Sequence, residues 1–153
     1  MFENSTALKT APIVRTIGAA ANMYRYIFAG CTNLSSKVVI NSVNGGGASF
    51  LAACNNCSNV KCIEVDFTTW PTTMAMTDYG VWVGFTNGVS STGTFIKPRT
   101  LSLNKQSDGS GIPSNWTVVN KENGHMYICN SDNTSDYTRE VASVDDDGTI
   151  HYV

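Results

Sequence analysis

The amino-acid sequence predicts an α+β domain in which a long N-terminal amphipathic helix packs on an antiparallel β-sheet. Residues 11–30, APIVRTIGAAANMYRYIFAG, are the one long stretch with a helical rhythm. Beyond residue 37 the chain falls into short β-rich runs separated by Gly, Asn, Asp and Pro. At 153 residues, 42% of them hydrophobic, there is enough chain for one domain with a real core. The expected layout is a flexible 1–10, a helix over 11–29 and mainly β structure over 37–153.

Each element has a residue-level reason. Ile13, Ile17, Ala20, Tyr24 and Ile27 recur in steps of four and three, and Val14, Ala21 and Phe28 broaden that stripe. Arg15, Gly18, Asn22 and Arg25 fall on the opposite side. Thr10 can cap, Pro12 suits a first turn and Gly30 terminates. Such a helix is about 28 Å long, and its apolar stripe must rest on a sheet. The runs KVVIN (37–41), KCIEVDF (61–67) and GVWVGF (80–85) read as strands, the last stopped by Asn87-Gly88. GTFIKP and TLSLN flank Pro98 as an edge or interrupted strand. Residues 104–115 read as a loop. WTVVN and HMYICN form a hairpin with KENG as a four-residue connection, and DYTREVAS and TIHYV form a second hairpin. No internal repeat is visible.

Composition limits the function classes. Charged residues are only 14% of the chain and the net charge is −2. There is no Lys/Arg stripe, so a nucleic-acid partner is not expected. The apolar run 11–30 is interrupted by Arg15, Asn22 and Arg25, so it does not span a bilayer. The first ten residues carry Glu3 and Lys9 and lack the apolar run of a signal peptide. A surface rich in Asn, Ser, Thr and Gly suits an extracellular setting.

The five cysteines are Cys31, Cys54, Cys57, Cys62 and Cys129. Three lie in CNNCSNVKC, where disulfides, a thiolate metal site and free thiols are all compatible with the spacing. Disulfides pinning a long loop are the expected use, with one thiol left over. Sequons at Asn4, Asn33, Asn56, Asn115 and Asn133 point to surface turns.

No catalytic constellation emerges, so neither enzyme activity nor a cofactor is expected. His125 and Cys129 lie four apart, about 13 Å along a strand, and no nucleophile elbow accompanies them. NSDNTSD and DDDG offer oxygens for calcium, but neither supplies the closing Glu of an EF-hand, and turn chemistry is the expected reading. Trp70, Trp82, Trp116, Tyr79, Tyr127 and Tyr137 could form a stacking platform for sugars, which makes a secreted or viral lectin-like attachment domain the second reading.

The stretch ALKTAPIVRTIGAAANMYRYIFAG, with the terminal VDDDGTIHYV, resembles the type IV pilin family and its type II secretion pseudopilin relatives. The apolar half-helix that opens that family is absent, and only Cys129 is late enough for its usual C-terminal loop. The resemblance implies a structural subunit of an extracellular pilus-like filament, a soluble head whose exposed loops serve adhesion. Its partners would be copies of itself or other pilin subunits, with membrane contact only through a missing N-terminal segment. It assigns helix–sheet packing to Ile13, Ile17, Tyr24 and Ile27, and subunit contact to Arg15, Gly18, Asn22 and Arg25.

Overall fold

The computed structural model describes residues 1–16, 22–42, 50–70, 75–78, 81–131 and 139–153. Its strands are β1 (Val14–Thr16), β2 (Val38–Ser42), β3 (Cys62–Val65), β4 (Ala75–Asp78), β5 (Val81–Gly84), β6 (Thr94–Pro98), β7 (Lys105–Gln106), β8 (Ile112–Pro113), β9 (Thr117–Glu122), β10 (His125–Ile128), β11 (Glu140–Val144) and β12 (Ile150–Tyr152). The main sheet runs β1-β2-β3-β6-β9-β10-β11-β12. Its first five strands are mutually parallel and only the last three join antiparallel.

That order describes a short solenoid. Val14 pairs with Ile40, Ile40 with Val65, Glu64 with Ile96 and Ile96 with Val119, giving spacings of 26, 25, 32 and 23 residues. Each coil contributes one strand, then returns through a wall of turns. The wall is stacked by backbone bonds between coils: Phe2 N donates to Ile27 O (2.9 Å), Phe28 N to Ala53 O (3.0 Å), Cys54 N to Phe85 O (2.9 Å) and Thr86 N to Gly109 O (3.1 Å). The longest coil carries the β4–β5 hairpin as an insertion.

The α+β prediction is therefore corrected: the described residues contain no helix. Val14–Thr16 is a strand, as Pro12 and the β-branched Ile13, Val14 and Thr16 favour. Residues 22–30 are overlapping four-residue turns, with Arg25 N on Asn22 O, Ile27 N on Tyr24 O and Ala29 N on Tyr26 O. Asn22 and Tyr26 hold φ at 63° and 57°, which a right-handed helix forbids. Tyr26 N and Phe28 N donate to the next coil instead of along their own segment. Within 22–30 the buried residues are the consecutive Ile27, Phe28 and Ala29, which do not follow the predicted helical stripe.

The missed repeat is visible once the coils are stacked. Cys31-Thr32-Asn33-Leu34 lies over Ser5-Thr6-Ala7-Leu8 and under Cys57-Ser58-Asn59-Val60. Asn33 Nδ2 donates to Thr6 O (2.8 Å), and Asn59 Nδ2 makes the same bond to Thr32 O (2.7 Å).

Between sheet and wall lies the main core, including Val14, Val38, Ile40, Ile63, Val65, Phe95 and Val118 from the strands and Phe28, Leu34, Phe50, Val60 and Phe85 from the return segments. Phe2 stacks on Phe28 (5.9 Å between ring centroids) and Tyr24 on Phe50 (5.4 Å). A second core covers the outer face of the sheet: Cys62, Ile96 and Val119 pack with Val141 and Val144. Burial on both faces is why Thr94, Phe95, Ile96 and Lys97 are all inaccessible. The hairpin between β9 and β10 uses only two connecting residues, Asn123 (φ 50°) and Gly124 (φ 80°), shorter than the four predicted, because Glu122 and His125 still pair.

Candidate functional site

The wall of turns ends at its last coil, where segments 86–91, 106–109 and 113–115 enclose a cleft of about 170 Å³. The cleft is held by Thr86 Oγ1 donating to Gly111 O (2.6 Å), Asn87 Nδ2 to Asn55 Oδ1 (3.1 Å) and Trp116 Nε1 to Ser90 O (2.8 Å). Gly109 sits at φ 78°, and a Cβ there would meet Asn87 at 2.6 Å, so this close approach requires glycine. The lining is Thr86, Asn87, Gly88, Val89, Ser90, Ser91, Gln106, Ser107, Gly109, Pro113, Ser114 and Asn115, none of them charged. Ser91, Gln106, Ser107, Ser114 and Asn115 are exposed. Asp108 stands at this edge; hydrogen bonds from Ser110, side chain first and then backbone, hold its carboxyl below the usual range.

A second cleft of about 430 Å³ lies beside the Asn123-Gly124 turn, lined by Asp66, Pro98, Lys121, Glu122, His125 and Met126 among others. Its charged side chains are engaged in ion pairs. Lys121 Nζ reaches Glu64 at 2.8 Å and also contacts Asp66, Arg99 reaches Glu122 at 2.5 Å, and His125 Nδ1 lies 2.7 Å from Glu140. Burial alone would depress the Lys121 ammonium, but the two carboxylates outweigh it and raise its pKa. With its carboxylates committed to Lys121, this cluster is an ion-pair network.

The residues predicted as sites take other places under this fold. Of the packing set, Ile27 is buried and Tyr24 half-buried, but Ile13 is exposed, because it precedes a strand instead of facing a sheet from a helix. Ile17 and Gly18 lie outside the described residues. Arg15 is exposed on β1 and Asn22 is exposed in a turn. Arg25 is half-buried, its Nη2 donating to Tyr26 Oη at 3.0 Å and its guanidinium 4.7 Å from that ring. Of the predicted residues, Ile13, Arg15, Tyr24 and Ile27 meet in one groove beside β1.

All five cysteines are buried free thiols, which corrects the expected disulfides. Cys31 and Cys57 occupy equivalent positions one coil apart. Each Sγ donates to the preceding coil, Cys31 to Phe2 O (2.9 Å) and Cys57 to Phe28 O (3.0 Å). Desolvation raises Cys54 and pushes Cys57 and Cys62 to about 12. Among the described residues no three His, Cys, Asp or Glu side chains gather as a metal site. Asp147 instead accepts from Thr149 N (2.9 Å), and Asp145 lies 2.7 Å from His151 Nε2.

The aromatic platform does not assemble from the described rings. Trp116 is buried, while Trp70 packs between Phe67 and Phe95 and donates to Ser102 O (2.9 Å). Tyr127 lies beside His125, and the side chains of Tyr79, Trp82 and Tyr137 lie outside the described set. The uncharged cleft was missed because its parts come from three loops. The one hint was the clustering of Ser, Asn and Gly in SGIPSN and TNGVSS.

Comparison with known proteins found no matching family model, curated sequence or solved structure.

Proposed function

We propose that this chain is a non-catalytic recognition module that binds a neutral, hydroxyl-rich ligand of the carbohydrate class in the end cleft. The observation that carries the reading is the lining: hydroxyls, amides and backbone groups, with no charge among them. Such groups donate and accept hydrogen bonds with a polyol and give a charged ligand no counter-ion. Solenoids characteristically present rigid surfaces for recognition, and the low overall charge suits an extracellular role. The filament-subunit reading rested on an N-terminal helix; with strand and turns in its place, that reading has lost its support here.

The test is a screen of neutral and acidic oligosaccharides followed by calorimetry on the hits. Neutral glycans should bind and acidic ones should not, and Ser114→Trp, at an exposed position, should abolish binding with no change in melting temperature. Absence of any neutral-glycan binding, or binding that survives the filled cleft, contradicts the proposal.

A further inference from the structure

The first two coils expose an apolar face. Ile13 and Met23 are each 51% exposed and Met1 87%. Beside β1 a groove of about 300 Å³ is lined by Met1, Phe2, Pro12, Ile13, Val14, Arg15, Tyr24 and Ile27. The half-buried Phe2 and Tyr24 rings stack on Phe28 and Phe50 of the next coils. Among the described strands β1 is also an edge of the main sheet.

We propose that this face is a self-association surface, covered by the same face of a second copy across a two-fold axis. Two observations favour a copy over a further coil of the same repeat. Later coils clasp the preceding one through Asn33 and Asn59, whereas the first has Ala7 at that position and cannot make the bond. The exposed Glu3 and Lys9 stand at opposite ends of the first turn segment. A two-fold axis normal to the sheet crosses that segment antiparallel with its copy, so Glu3 of each copy approaches Lys9 of the other. The same axis pairs β1 with its copy antiparallel and closes the free edge. Arg15, exposed on β1 and paired with Asn41, also lines the groove.

Sedimentation equilibrium over a range of concentrations tests this. The protein should form a dimer that grows no further. Ile13→Asp should weaken it at least about tenfold by burying a charge. Glu3→Lys and Lys9→Glu should each weaken it about two- to fivefold, and the double variant should restore it. These two positions are exposed, so their variants remain informative if Ile13→Asp fails to fold. A monomer at every concentration assigns the face to some other occupant and overturns the proposal, as does a dimer indifferent to Ile13→Asp or a double reversal without rescue.

Discussion

The two ends of the solenoid are finished in opposite ways. At the C-terminal end the parallel ladder stops at β9, and β10–β12 turn antiparallel, bringing Val141 and Val144 over the outer face of the sheet. Thr94 Oγ1 donates to Gly148 O at 2.6 Å, fastening the last turn to β6. Gly148, at φ 83°, approaches so closely that a Cβ would meet Lys61 O at 2.5 Å. At the N-terminal end β1 has three residues, an open edge and apolar neighbours in water. A stack of coils has apolar surface at both ends, and it must be sealed either by the chain or by a partner. This chain seals one end itself.

Truncations at the two ends should therefore differ. Trp116→Ala, next to the C-terminal seal, empties a fully buried site and leaves Ser90 O without its indole donor. It should cost about 3–5 kcal/mol in urea unfolding, whereas Phe2→Ala at the half-buried open end should cost less than half as much. Equal losses would erase the distinction. Gly148→Ala should follow, at about 1–3 kcal/mol, because neither the positive φ nor the Lys61 contact tolerates a methyl.

The outer-face ion pairs sharpen the comparison through pH. Lys121 has a folded-state pKa raised above the ordinary 10.5. Its contribution is therefore whole below that value and is lost as pH rises through the folded pKa. Lys121→Met should lower stability by about 1–3 kcal/mol near neutrality and flatten the alkaline part of the curve. A curve parallel to that of the unmodified protein would count against the pairing.

Smaller effects report on the coils themselves. Asn33→Ala and Asn59→Ala should each cost about 0.5–1 kcal/mol and should match, since the two make one bond one coil apart. Thiol titration should find all five cysteines unreactive in the native protein and reactive after denaturation, because burial raises Cys54, Cys57 and Cys62. Rapid native labelling of Cys57 would show that the coils are not closed around it.

How much of this was legible follows from the range of each signal. Strand-forming runs such as 37–41, 61–67 and 116–120 could be read because alternation and β-branching are local. The parallel pairing could not, since it depends on which coil lies beside which. The repeat was written in Cys31-Thr32-Asn33-Leu34 and Cys57-Ser58-Asn59-Val60. It was obscured because its first copy reads Ser5-Thr6-Ala7-Leu8 and the coil after the third carries an insertion. The helix over 11–29 was predicted from the spacing of its apolar residues; Asn22 and the β-branched Ile13, Val14 and Thr16 carried the contrary signal. The cleft at 86–115 depends on three loops meeting and has no local signature.

The most direct test is solution NMR of the protein labelled with 15N and 13C. Stacked coils predict contacts between Val14 and Ile40, between Ile40 and Val65, and between Phe28 and Ala53. Sequential helical contacts running through residues 11–29, with those cross-coil contacts missing, would contradict the account.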